Sequence, residues 1–314
     1  MELINNWSDD NRENYGKQVM AVQHSLNETG LFTDEALAAM LDKHPSHLLD
    51  VLALPDDERF QEYKDQQITV DFTGASGKTL IEAAKAGDIW INAREVMNTH
   101  AEYIEVLEQL HDELSERTGK NLDRQKSRGG VLISSPTAKT PYHVDPTITH
   151  LWHIRGQKRA WVYPLGEEFC SDKSFEAIVL GESDEDCPFE AKYDEQAQVF
   201  DLTGGEMVSW PHRSPHRVEN QSYCISMVME FSTKQSAFIN SGMLTNGLLR
   251  RRLGMNPSWE HASQMEQVIK SVAGRVLRKI GAHNSFRRID MVKFKLDENA
   301  KGFIRPVTPY KRAF

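Results

Sequence analysis

Between residues 128 and 231 the chain is cut into apolar pieces too short for helices: GGVLISSP, THLWHI, KRAWVYP, QVFDL, EMVSW and YCISMVMEF. They are rich in β-branched and aromatic residues, and RGQ, TGGE and ENQS read as the turns between them. Many short strands with such punctuation specify a sandwich or barrel.

The flanks read differently. Thr33 is placed to cap a helix through DEALAAMLDKH, which Pro45 stops. HLLDVLAL (47–54) and QITVDF (67–72) are strand candidates, and residues 78–97 read as helical with a break near Gly87. Tyr103, Val106, Leu107, Leu110 and Leu114 recur at helical spacing, and Gly119 supplies the stop. In 257–282, Met265, Val268, Ile269, Val272, Val276, Leu277 and Ile280 form one stripe, with Ser258 as a plausible N-cap. Such a stripe packs on its own domain or, in the sharper alternative, pairs with the same helix of a second copy in a homodimer. The expected architecture is mainly β with helical additions (α+β). It divides into an N-terminal α/β region (1–127), a β core (128–235) and a basic, helical C-terminal region (236–314).

With 314 residues, 39% of them hydrophobic, the chain can bury a sizeable core. The polar, acidic start shows no secretory signal, and no apolar run approaches the roughly 20 residues of a membrane helix. Cys170, Cys187 and Cys224 are odd in number and widely spaced, which suggests thiols in a reducing cytoplasm rather than a disulfide framework or a CxxC site. Net charge is −9, but Arg250 to Phe314 carries 15 Lys+Arg against 5 Asp+Glu, so this tail is +10 and the rest −19. An acidic body argues against a general nucleic-acid binder, though the tail offers a surface for a polyanion. Residues 181–196 hold seven acids and one lysine. They read as a solvated loop, with a substrate-facing flap for a cationic partner as the alternative.

The chemistry concentrates in TPYHVDPTITHLWHIRGQKRAWVYP (140–164). In a strand, His143 and Asp145 point to one face and can grip one metal ion. With 12 histidines, about one HxD is expected by chance, so a third ligand is needed. WPHRSPHRVENQ (210–221) offers His212 and His216. Pro211 and Pro215 oppose a helix there, so the two do not share a helical face. His216 opens the next apolar segment after a tight turn and is the preferred member. Two imidazoles and one carboxylate make a facial triad, which suits Fe(II) and leaves positions open for a co-substrate and dioxygen. A structural zinc site would want four closed ligands. His150 and His153, three apart, face opposite sides of a strand. If that strand runs unbroken from 143, His153 shares the inward face with Asp145 and lines a substrate cavity, and His150 is structural. Trp152, Trp161 and Tyr163 read as core.

At these positions the sequence resembles the JmjC and cupin-like Fe(II)/2-oxoglutarate oxygenases, in pattern the group containing the asparaginyl hydroxylase of hypoxia-inducible factor. That group has a threonine three residues before the HxD histidine and a lysine thirteen after its aspartate, here Thr140 and Lys158. Gly156, two before the lysine, and the five-residue step from Pro211 to His216 also match. The resemblance covers roughly 128–232. It implies a double-stranded β-helix (jelly-roll, cupin) core and His143, Asp145 and His216 as iron ligands. Lys158 and Thr140 would hold the distal carboxylate of 2-oxoglutarate. The family's further polar residue falls on Ser226 or Glu230. Ser226 is the better guess, since a glutamate facing a dicarboxylate would repel it. The implied activity is a dioxygenase that hydroxylates an organic substrate, either a small molecule or a protein side chain. The rivals are a non-catalytic cupin-type sensor of a metal or small acid, and a regulatory protein that binds a polyanion through its basic tail.

Overall fold

The computed structural model describes residues 1–53, 67–120, 122, 126–183 and 187–312. Leu54 of the expected strand 47–54 and residues 184–186 of the acidic segment lie outside them. The N-terminal part runs β1 (Ile4–Asn5), α1 (Asp9–Asn14), β2 (Met20–His24), α2 (Asp34–Leu41), β3 (Leu49–Ala53), β4 (Ile68–Asp71), α3 (Gly77–Ala86), β5 (Ile89–Ala93), α4 (Val96–Thr99) and α5 (Ala101–Thr118). The Thr33 hydroxyl accepts from Ala36 N at 3.2 Å to cap α2, and Gly119 ends α5 in the left-handed conformation. The helical reading of 78–97 needs correction, because α3 stops at Ala86 and residues 89–93 form a strand. In IWINA, Ile89, Ile91 and Ala93 are buried and alternate with Trp90 and Asn92, a period of two, and partners on both sides (β3 and β6) satisfy the backbone.

The β-rich region contributes β6 (Arg128–Ser134), β7 (Lys139–His143), β8 (Ile148–Arg155), β9 (Lys158–Val162), α6 (Asp172–Leu180), β10 (Gln198–Leu202), β11 (Glu206–Ser209), β12 (His216–Asn220) and β13 (Cys224–Phe231). It is followed by α7 (Lys234–Leu253), α8 (Gln264–Lys279), β14 (Met291–Leu296) and β15 (Ile304–Lys311). An eleven-stranded sheet has the order β1-β2-β11-β8-β13-β6-β5-β3-β4-β14-β15, and a four-stranded sheet the order β10-β9-β12-β7. Between β6 and β13 the chain therefore passes repeatedly from one sheet to the other. Leu151 and Val208 of the large sheet pack with Ala160, Val162 and Leu202 of the small one, and Trp210 joins them. On the other face of the large sheet, Trp152, Ile154, Met227 and Met229 pack with Tyr103, Leu107 and Leu110 of α5. Being covered on both faces, β8 is buried from Ile148 to Ile154, which explains why THLWHI lacks the polar alternation of a half-exposed strand.

The C-terminal region is not purely helical, since β14 and β15 close the edge of the large sheet. α8 starts one turn later than expected, capped by Ser263 rather than Ser258. Its buried residues are Lys270, Ser271 and Gly274. A Cβ on Gly274 would lie 1.8 Å from Ser241 O, so the absence of a side chain lets α7 and α8 touch backbone to backbone. The apolar stripe consequently faces away: Met265, Val268, Ile269, Val272, Val276 and Ile280 are 50–75% exposed, and only Leu277 packs inward. Part of the basic tail is committed within the chain, with Arg250 and Arg251 both pairing with the fully buried Glu176. No helix among the described residues is long and apolar enough to cross a membrane.

Candidate metal centre

β7 and β12 are neighbours in the small sheet, and their register sets His143 directly opposite His216. The two rings lie 4.0 Å apart, centre to centre. Asp145 reaches the pair from just beyond β7. The strand does not run on from 143 as the reading of His153 supposed. It ends at His143, and the chain crosses to the large sheet before β8 begins at Ile148. Pro146, which has no N–H to give a ladder, sits in that crossing. Asp145 Oδ1 is 3.6 Å from His143 Nε2, and Oδ2 is 3.5 Å from His216 Nε2. These gaps exceed hydrogen-bond length, yet one ligand atom from each residue lies within 4.8 Å of the others.

The other ring nitrogens explain the orientation. His143 Nδ1 donates to Pro141 O (2.8 Å) and His216 Nδ1 to Ser214 O (3.2 Å), which leaves both Nε2 lone pairs directed toward the carboxylate. Burial and the neighbouring His143 push the His216 pKa down to about 3, while Asp145 opposes the shift. A neutral imidazole is the form that binds a metal. Two nitrogen donors and one anionic oxygen, converging with no hydrogen bond among themselves, fit a divalent cation of the Fe(II) type.

His212 lies outside this group. Its Nε2 donates to Pro146 O (3.2 Å), and the Asn240 amide donates to the same carbonyl (2.6 Å). The two together fix the segment that carries Asp145. The Trp210 ring lies 4.2 Å from that of His216 and walls it on one side. The sequence reading assigned neither residue. Both stand in the WPHRSPHR segment, but nothing local reveals which carbonyl a histidine will reach.

On β9, Lys158, Ala160 and Val162 share the face that looks across to the large sheet, and Val162 stands opposite His216. Lys158 is only 5% exposed. Its ammonium donates to Ser226 Oγ of β13 at 2.8 Å, and burial lowers its pKa. The Ser226 hydroxyl donates to His153 Nδ1 (3.1 Å), and His153 Nε2 donates to Gly156 O (2.9 Å). His153 does face inward, but it sits in this chain beside Lys158 rather than beside the triad. Burial and then the Lys158 charge push its pKa to about 3. No carboxylate among the described residues forms an ion pair with Lys158. A buried ammonium held only by a hydroxyl is a ready partner for an anion. Gly156 makes the turn at φ +94°, and a Cβ there would lie 2.3 Å from Tyr223 O.

Thr140 stands opposite Val218, which in turn stands opposite Ala160, in a row on the same inward face. Thr140 and His143 are three positions apart, which in a regular strand would set them on opposite faces. A register shift between His216 and Val218 returns both to one face. Glu230 lies four residues along β13 from Ser226, at the end nearer Asp145. Burial first and then Asp145 raise its pKa to about 7. His150 is on the far face of β8, where Tyr15 Oη lies 3.2 Å from its Nε2. In the described part of the acidic segment, Phe189 and Tyr193 pack against Tyr142, and Asp194 accepts from Tyr163 (2.6 Å) and Arg217 (3.0 Å).

No protein-family model matches the chain, and no curated protein matches it. Among solved structures, the ribosomal oxygenase YcfD from Escherichia coli in complex with cobalt and 2-oxoglutarate aligns over 95% of this chain and 75% of its own, at 15% identity and a TM-score of 0.48. A second YcfD structure aligns over 91% and 70%, at 16% identity and a TM-score of 0.49. The conserved SPY1581 protein of unknown function from Streptococcus pyogenes aligns over 36% of this chain and 69% of its own, at 9% identity and a TM-score of 0.23.

Proposed function

We propose that this protein is an Fe(II)- and 2-oxoglutarate-dependent dioxygenase that hydroxylates an organic substrate, either a small molecule or a side chain of another protein. The observation that carries the reading is the pairing, on one inward face, of a His-Asp-His cluster with a buried lysine that has no counter-charge among the described residues. The strand orders β6-β13-β8-β11 and β7-β12-β9-β10, with the chain alternating between sheets, support a double-stranded β-helix as the frame.

His143, Asp145 and His216 would hold the iron, oriented by Pro141 O, Ser214 O and the brace of His212 and Asn240 on Pro146 O. Lys158 would pair with the distal carboxylate of 2-oxoglutarate, with Ser226 and Thr140 beside it. When bound, the iron with 2-oxoglutarate and dioxygen supplies the oxidising power to hydroxylate a C–H bond. The chain's part is to bind, orient and keep dry. His153 stays neutral and accepts the Ser226 proton, so Ser226 Oγ keeps its lone pairs for Lys158. Leu151, Val208 and Val162 exclude water between the sheets.

Anaerobic titration with Fe(II) and then 2-oxoglutarate tests the reading. A visible charge-transfer band should appear, and succinate release should follow admission of oxygen. A band without succinate under any substrate screen would favour the non-catalytic sensor. Absence of both would reject the oxygenase.

A further inference from the structure

Cys170 and Cys187 are seventeen residues apart in sequence, and their sulfurs meet at 3.2 Å. Both residues are buried, at 4% and 8% exposure. No disulfide joins them. A disulfide needs S–S of about 2.05 Å, so closure asks for a movement of only about 1 Å.

We propose that Cys170 and Cys187 are a peroxide-oxidisable dithiol that closes to a reversible disulfide beside the strand carrying His143. Each cysteine belongs to a segment already fastened to Tyr142, the residue before His143. The Tyr142 hydroxyl donates to Phe169 O (2.7 Å), next to Cys170, and Cys187 N donates to Tyr142 O (3.4 Å). Closure would tie together covalently the two segments that Tyr142 already holds by hydrogen bonds. Phe169 and Tyr193 belong to the same buried cluster as both cysteines, which favours a small oxidant over a bulky one. Cys170 is taken as the attacking thiol. The hydrogen bond from Cys187 lowers its pKa, burial opposes this, and Arg213 adds to the lowering.

The chemistry balances with hydrogen peroxide as the two-electron oxidant. The Cys170 thiolate attacks one peroxide oxygen, the O–O bond breaks, and the departing oxygen leaves as water after taking a proton. The Cys187 sulfur then attacks the Cys170 sulfenic acid. The S–S bond forms, the S–O bond breaks, and a second water leaves with the Cys187 proton. Two thiols and one peroxide give one disulfide and two waters. Cys224 is elsewhere, with its thiol directed at Gln157 O and Ser222 O, and serves as an internal reference. The proposal does not depend on the iron reading.

The test treats the whole protein with stoichiometric peroxide, in chelator so that iron does not consume it. Thiols are then alkylated in denaturant and tryptic peptides mapped without reduction. The expected product links peptides 160–173 and 174–192, with Cys224 alkylated and dithiothreitol restoring both thiols. In urea the same linkage should form about tenfold more slowly or worse, because the fold supplies the effective concentration. Alkylation of all three cysteines after oxidation, a bridge that includes Cys224, over-oxidation of Cys170 without a bridge, or equal rates in urea would each overturn it.

Discussion

Replacing Lys158 by methionine separates two roles that usually travel together. In the folded chain the ammonium is buried, makes one hydrogen bond to Ser226 Oγ at 2.8 Å, and has no anionic partner among the described residues. An unpaired buried charge costs stability, and methionine has similar volume and no charge. The ligand-free variant should therefore be as stable as the parent or more so. Binding of 2-oxoglutarate should suffer, because the variant would bury the distal carboxylate without its cation. Removing one partner of a buried ion pair costs about 3–5 kcal/mol. With the Thr140 hydroxyl left beside the site, the lower end, about 3 kcal/mol, is the expected loss, a weakening of roughly 100-fold at 1.4 kcal/mol per decade. Fe(II) affinity should change little, since Lys158 is not among the converging ligand atoms. The assay is anaerobic titration of 2-oxoglutarate into the Fe(II) protein, read by the charge-transfer band, with thermal denaturation of the apoprotein in parallel. A fall in affinity of less than about threefold with Fe(II) binding intact, or marked destabilisation of the apoprotein, would refute the reasoning.

Further outcomes follow from other parts of the structure. Asp145→Ala and His216→Ala should each abolish the Fe(II)/2-oxoglutarate band, whereas His212→Ala should weaken Fe(II) binding about tenfold or more by releasing Pro146 O without removing a ligand; abolition by His212→Ala with survival in His216→Ala would reverse the assignment. His150 and His153 have folded pKa values of about 3 against an ordinary 6.5. The unfolded state therefore takes up protons first, stability is full above pH 6.5, and each residue should cost about 2 kcal/mol by pH 5; urea unfolding that is flat between pH 7 and 5 would contradict this. Gly156→Ala must bring a Cβ against Tyr223 O at a positive φ and should destabilise by about 2 kcal/mol or more, measured by equilibrium unfolding. Antiparallel pairing of the exposed α8 stripe with a second copy, Glu266 at one end facing Arg275 and Lys279 at the other, predicts a dimer that Ile269→Lys with Val272→Lys dissociates; sedimentation showing a monomeric parent would exclude it.

The sequence by itself determined the elements whose signal is local. Hydrophobic period and capping residues suffice for α2 and α5, because a helix closes its hydrogen bonds within a few residues. Six of the short strands, β6, β8, β9, β10, β11 and β13, are legible for the same kind of reason, since β-branched and aromatic runs between turns exclude helices, whereas β7 and β12 carry no such run and β12 takes in Glu219 and Asn220 of the expected ENQS turn. Spacing and likeness single out His143, Asp145 and His216, but bringing their ligand atoms within 4.8 Å of one another depends on β7 and β12 being neighbours across some seventy residues. Where packing decides, local signals failed. Residues 89–93 follow a good helix, yet two waiting strand partners claim them. The α8 stripe looked like a core face, but Gly274 and Ser271 allow a closer backbone approach to α7, and the apolar residues were left outside. Thr140 joins the face of His143 only through a register shift that no pattern of period two can announce. The contacts of Ser226 with Lys158, of His212 with Pro146 and of Cys170 with Cys187 join residues 68, 66 and 17 positions apart. Such pairings are set by which sheets face each other and where the chain crosses between them, and only the tertiary structure holds that information.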